Sequence, residues 1–390
     1  MRRLQRCVRE GSPGISVGAA LLAALAVLRH GAGFCGPARS APARCCPVPA
    51  ASQMRDADPA CDGRRLRVVS YNVCGLGAGF GPPDNDAVTR AYGLLLSNLR
   101  RLKADVVCLQ EARRLPIIDP TGREREDSLD ALASDLGMQL RFSHATPGFE
   151  KFGNAILVGP ALELLDSGSV HLAGGSVVRT PAGAEKKIVR GCVATRLALQ
   201  EESDDPDLVS RASQFAVLAT HWDHISEAER VIQADSLLAS VADLTGGLPH
   251  LLVGDLNAMK RADYTSEEWS ALQERNAQRG WAPLEDSRAL AALEASGYSD
   301  LLSETLASPA GAASAAAAAP AAPLAAGRFT APRQPPVRID FAYASRDWGR
   351  LSAGGEGGGA GARGAAASAW VDASAEGSDH LPLVVDAVLR

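Results

Sequence analysis

The residues best suited to chemistry fall in the stretch from His250 to Ala258, read His-Leu-Leu-Val-Gly-Asp-Leu-Asn-Ala. A short apolar run, Leu251 to Val253, ends at a glycine and is followed by two polar side chains, Asp255 and Asn257, in period two. Both therefore leave the strand end on the same side. An aspartate and an asparagine aimed together from a rigid strand terminus can hold a water beside a phosphorus centre and take its proton. Taken alone, the same residues read more simply as a strand followed by an Asp/Asn turn. Their weight comes from companions placed the same way elsewhere in the chain.

Those companions require strands to present them. Leu66 to Val73 reads as a strand that carries Asn72 to a glycine turn at Cys74-Gly75-Leu76-Gly77. The spacing predicts a helix over Asp86 to Lys103, and Ala104 to Glu111 is a buried strand that ends in a carboxylate. A short helix from Asp127 to Gly137 precedes strands at Asn154 to Val158, Leu162 to Leu172 and Lys186 to Leu199. Gln214 to Thr220 is another apolar strand, terminating in His221-Trp222-Asp223-His224, and a helix from Ser226 to Leu244 leads back to the opening stretch. Two further helices are expected at Ser266 to Arg279, capped by Thr265 or Ser266, and at Leu284 to Ser296. Val337 to Ala344 carries Asp340 on a clear strand, and Gly377-Ser378-Asp379-His380-Leu381-Pro382 introduces a last one, Leu383 to Leu389. Period-two and period-3.6 segments alternate throughout, which gives a mixed α/β fold.

Composition narrows the function. The first sixty residues hold eight arginines and three acids, so the rest of the chain keeps 32 basic against 42 acidic residues, a charge of about minus ten. Tight, sequence-blind binding of duplex DNA needs a basic face, and this balance argues against it. The eight cysteines include no C-x-x-C pair and no regular spacing, which excludes a zinc site or a disulfide framework. Residues 1–60 read as a targeting leader: a basic head, a short apolar run from Val17 to Leu28, then acid-free, Ala/Arg-rich sequence. That layout leads into the secretory pathway or an organelle such as a plastid, or else is an uncleaved tail, and its apolar run is too short for a stable membrane span. The catalytic domain is expected over 64–390, interrupted by an Ala/Pro insertion at 308–327 and a Gly/Ala insertion at 354–368.

Collected, the strand-end polar residues are Asn72, Glu111, His221, Asp255, Asn257, Asp340, Asp379 and His380. An oxygen-rich site of carboxylates and amides with two imidazoles suits Mg2+ or Mn2+ rather than zinc. In this order the motifs resemble the endonuclease/exonuclease/phosphatase superfamily with the deoxyribonuclease-I-like fold. The resemblance rests on Ser-Tyr-Asn-Val-x-Gly-Leu (70–76), Asp-Val-Val-Cys-Leu-Gln-Glu (105–111), Phe-Gly-Asn-Ala-Ile-Leu (152–157) and Thr-His-x-Asp-His (220–224). Gly-Asp-Leu-Asn-Ala (254–258), Arg-Ile-Asp-Phe (338–341) and Gly-Ser-Asp-His-x-Pro (377–382) complete it. It implies a four-layer α/β/β/α sandwich of two mixed sheets, with the site at one end of the sheets.

The resemblance also implies roles. Glu111 would be the principal metal ligand, with Asn72 close by and Asp379 assisting. Asp255 and Asn257 would position and activate water. His380 would pair with Asp379, His221 would hydrogen-bond a nonbridging oxygen, and Asp340 would orient a histidine or assist the leaving group. Asn154 and Arg190 are taken as substrate-binding, although Arg190, Arg230 and Gln233 are by default solvated surface. Trp222 and Trp269 could stack on a base or sugar, buried packing being the commoner use of such rings. Cys74 stands where abasic-site endonucleases carry a second acid, which disfavours that specialty. The expected activity is divalent-metal phosphoester hydrolysis by a monomer, acting on a nucleic acid strand or on a smaller phosphorylated molecule or lipid head group. A noncatalytic binding module, the competing class, would have lost Glu111, Asp255 or His380.

Overall fold

The computed structural model describes residues 64–77, 84–144, 150–179, 183–200, 214–308, 327–352 and 367–389. The expected leader, and nearly all of both low-complexity insertions, lie outside these residues. Strand β1 (Arg64–Asn72) leads to helix α1 (Asn85–Leu102), then β2 (Val106–Arg113), a ribbon of β3 (Ile117–Ile118) and β4 (Glu124–Arg125), α2 (Ser128–Leu136), β5 (Gln139–His144) and β6 (Phe152–Val158). Next come β7 (Leu162–His171), a second ribbon of β8 (Val177–Arg179) and β9 (Glu185–Lys187), β10 (Gly191–Leu199), β11 (Gln214–His221), α3 (Glu227–Thr245) and β12 (His250–Asp255). The order closes with α4 (Ser266–Gln278), α5 (Arg288–Ala295), β13 (Ser299–Asp300), α6 (Leu301–Ala307), β14 (Asp340–Ala344), β15 (Ser368–Val371) and β16 (Leu383–Leu389).

Local chemistry sets these limits. Asp84 caps α1 by accepting the backbone N–H of Asp86, and Asp127 does the same for α2 at Leu129 and Asp130. Thr265 and Glu268 form a reciprocal capping box on α4, so Thr265 rather than Ser266 is its cap. The strands assemble into two mixed six-stranded sheets, ordered β15-β16-β1-β2-β6-β5 and β13-β14-β12-β11-β10-β7. Leu66, Val68, Val106 and Ile156 of the first sheet and Val193, Phe215, Val217 and Leu251 of the second share one buried cluster, which places the sheets face to face. Tyr92, Leu95, Leu99 and Leu129 bring α1 and α2 onto the outer face of the first sheet. Leu237, Leu290 and Leu293 bring α3 and α5 onto the outer face of the second. Each such side chain contributes about 1.5–3 kcal/mol when fully buried, so the layers are held chiefly by this packing. The result is the expected four-layer α/β/β/α sandwich.

Four departures from the sequence reading have a local cause. Glu111 lies inside β2, not at its end, because a bulge between Leu109 and Ala112 turns it out of the ladder. The strand expected from Lys186 is broken before Gly191, so Arg190 lies in the short link between β9 and β10. The strand expected from Val337 begins at Asp340, since Arg338 is drawn into a buried cluster with Asp263, Asp300 and Ser303. Helix α5 starts at Arg288 under a Ser287 cap, four residues later than expected, because Pro283, Asp286 and Ser287 favour a turn over a helical start. Among the described residues no helix is long and apolar enough to cross a membrane.

Candidate active site

Three neighbouring strands of the second sheet end on one transverse row. His221 on β11 is the register partner of Asp255 on β12, which is the partner of Asp340 on β14. Ala219 and Val253, two residues before His221 and Asp255, belong to the core between the sheets, so period two points both polar side chains into that gap. Gly254 makes the close approach possible: a Cβ there would lie 1.9 Å from the Thr220 carbonyl oxygen. From the facing sheet, Asn72 ends β1 and Glu111 projects from the β2 bulge with a left-handed φ of 51°. Such a conformation costs a non-glycine residue about 1–3 kcal/mol and is tolerated where the surroundings fix it.

Asp255 is the hub. One oxygen, Oδ2, accepts the Asn72 amide at 2.9 Å, and Nε2 of His221 and of His380 lie 3.6 and 3.7 Å from it. The other, Oδ1, accepts the backbone N–H of Asn257 at 3.0 Å, which holds Asn257 in a left-handed φ of 50°. The Asn257 amide nitrogen then lies 3.0 Å from His221 Nε2 and donates to the Trp222 carbonyl at 3.2 Å. Burial raises the pKa of Asp255, and the Asp340 carboxylate raises it further. His380 donates through Nδ1 to Asp340 at 2.8 Å. Burial alone would lower its pKa, but the Asp340 and Asp255 carboxylates override that and keep the imidazole cationic. His221 moves the opposite way, held neutral by burial and by the Arg190 guanidinium.

The structure thus brings Asn72, His221, Asp255, Asn257, Asp340 and His380 into one buried cluster, and places Glu111 close enough to act electrostatically on Asp255. Asp379 points elsewhere. Its carboxylate pairs with Arg333 at 3.0 Å, and the partner of His380 is Asp340 rather than Asp379. Asp379 and His380 lie in a bend ahead of β16, so chain adjacency does not set their pairing, whereas the strand start at Asp340 brings a carboxylate to the ring. Asn154 donates its amide to the Gly191 carbonyl at 2.9 Å and ties the two sheets beside the site. Arg190 is not surface: it is 5% exposed, and its guanidinium meets His221 and His224. Arg230 and Gln233 brace the Asp223 backbone, Trp222 is fully buried, and Trp269 lies beneath the Arg261 guanidinium. Trp222 therefore presents no open face for a base.

The sequence reading missed Arg333 and the part His224 plays. Arg333 Nη2 reaches both Asp379 and, at 3.3 Å, His380 Nε2, yet it sits in a Pro-rich stretch with no periodicity to mark it. The donor set suits a hard divalent ion. Asp255 and Asp340 place carboxylate oxygens within 4.8 Å of one another, and the repulsion that adds to burial in raising the Asp255 pKa is what a cation would relieve.

Two facing mixed sheets wrapped by helices, with carboxylates, amides and imidazoles gathered at one end, define a phosphoester-hydrolase type of architecture. The chain belongs to the Endonuclease/Exonuclease/phosphatase family, whose profile matches residues 69–380. No curated protein sequence matches it significantly. Among solved structures it is similar to the human Nocturnin catalytic domain with bound sulfate, at 16% identity and a TM-score of 0.49, covering 84% of this chain and 94% of that one. It is also similar to a mannosyl-6-phosphatase from Bacteroides thetaiotaomicron, at 16% identity and a TM-score of 0.46, covering 83% and 100%. A third is D. rerio TDP2 complexed with a single-strand DNA product, at 15% identity and a TM-score of 0.45, covering 83% and 98%.

Proposed function

We propose that this protein is a magnesium- or manganese-dependent hydrolase that cleaves phosphodiester bonds, acting as a nuclease by in-line attack of water. The observation that carries the reading is the hub geometry: a buried Asp255 with raised pKa, held by Asn72 and flanked by a neutral and a cationic imidazole. A carboxylate so raised is suited to take a proton from water near neutral pH. Asn257 fixes the orientation of that carboxylate through its backbone N–H. His380, kept protonated by Asp340, offsets the negative charge that grows on the phosphoryl group. Glu111 and Asn72 are the residues that would hold the ion, and Asp379, turned to Arg333, is the weakest of the expected ligands. When bound, the ion polarises a phosphoryl oxygen and neutralises developing charge.

A second reading, hydrolysis of a small phosphorylated molecule, is favoured by the charge of about minus ten carried by the chain after its first sixty residues. The test is the full chain with Mg2+ on labelled single-stranded DNA and RNA beside a generic phosphomonoester. Cleavage of a strand is expected, abolished by EDTA and reduced roughly 10²- to 10⁴-fold in Asp255→Ala. Turnover of the monoester alone selects the second reading. Full activity in Asp255→Ala would remove the hub from the mechanism.

A further inference from the structure

We propose that Arg190 is a positioning residue that locks His221 and His224 in the tautomer protonated on Nε2, so that neutral imidazoles, and not the arginine, offer hydrogen bonds to the phosphoryl oxygens. This rests on the phosphoester-hydrolase reading of the same site. Arg190 Nη1 lies 3.1 Å from Nδ1 of His221, and Nη2 lies 3.0 Å from Nδ1 of His224. A guanidinium only donates and does not lose its proton in proteins. Each Nδ1 must therefore supply a lone pair. An imidazolium would set an N–H against the guanidinium, so each ring is neutral, with its one proton on Nε2.

That assignment settles what His221 can do. Its Nε2 lies 3.0 Å from the Asn257 amide nitrogen, a second donor, but the charge-assisted bond from Arg190 is the stronger of the two, so the lone pair stays on Nδ1 and Asn257 keeps its bond to the Trp222 carbonyl. The Nε2–H is a donor, and Asp255 Oδ2 stands 3.6 Å from it, beyond a good hydrogen bond. A phosphoryl oxygen seated beside Asp255 is a better acceptor. His224, by contrast, is exposed, so its Nε2–H is accessible from outside the buried cluster. Arg190 is 5% exposed and reaches both rings from the segment before β10, whose first residue, Gly191, is the register partner of His221.

The ring nitrogens can be read directly in 15N-labelled full-length protein by long-range 1H–15N correlation, with His221→Gln and His224→Gln used to assign the signals. The expected wild-type result is an unprotonated Nδ1 on both rings. In Arg190→Met, His221 is expected to populate the Nδ1–H tautomer, while kcat falls roughly 10- to 100-fold and KM stays within about threefold, the pattern of lost orientation. Arg190→Lys, with a single-headed donor, retains the tautomer on one ring only and serves if the methionine variant does not fold. A protonated Nδ1 on wild-type His221, an unchanged tautomer in Arg190→Met, or a raised KM with intact kcat would each overturn the proposal, the last by making Arg190 a substrate-binding arm. The tautomer is read without substrate, so its failure is separable from failure of the hydrolase reading, which the kinetic arm alone decides.

Discussion

Asp340 and His380 are 1% and 3% exposed, and the 2.8 Å bond between them uses Nδ1 of the ring and leaves Nε2 between Asp255 and Arg333. Asp340→Asn preserves the shape but removes the charge that keeps His380 protonated. It is expected to lower kcat roughly 10²- to 10³-fold in single-turnover assays, the cost of losing one charge-stabilising donor, and activity within threefold of wild type would disprove the role. Both residues were legible in the sequence, because strand-end carboxylates and a Ser-Asp-His turn stand out against apolar runs. The resemblance gave Asp340 a histidine to orient but paired His380 with Asp379, since chain adjacency is visible in a sequence and the folded arrangement is not. Arg190 was visible, but its burial was not. An arginine before a Gly-Cys-Val run gives no sign that its partners lie 31 and 34 residues on.

Most elements announced themselves through periodicity. The exceptions are short or weakly patterned. Strand β5, Gln-Leu-Arg-Phe-Ser-His, has only two strong apolar residues, and α6 occupies seven residues just ahead of the Ala/Pro stretch. Bulges and breaks were hidden because they arise from what the neighbouring strand allows: Glu111 is turned out by its pairing with β6, and Arg338 is withdrawn by buried acids. At Gly254 half the answer is legible, a glycine where the apolar run ends, but not the reason. Its φ is 149° and a Cβ would meet the Thr220 carbonyl oxygen at 1.9 Å, so β11 and β12 would have to separate. Gly254→Ala is expected to destabilise the protein by about 3 kcal/mol in denaturant titration, the upper range for overpacking, and to lower activity with it. A midpoint equal to wild type would show that the strands yield.

Acid stability is a property of the whole molecule, and Asp119 contributes to it far from the site. The Thr121 hydroxyl, the backbone N–H groups of Arg123 and Thr121, and the Arg125 guanidinium hold its carboxyl down to about 2. A depressed carboxylate contributes stability above its unfolded pKa of about 3.9 and loses it as pH falls toward the folded value. Asp119→Asn should therefore flatten the loss of stability between about pH 4 and pH 2, measured by denaturant midpoints, and an unchanged slope would rule the residue out. The pairing of β1 with β16 acts on the same scale. Arg64 lies opposite Leu389 and Ser70 opposite Leu383, so the first strand of the sheet waits for the last. During synthesis on the ribosome, β1 gains its antiparallel neighbour only after residue 389 has cleared the exit tunnel. His380 travels on the same late segment, so the first sheet and the site are completed together.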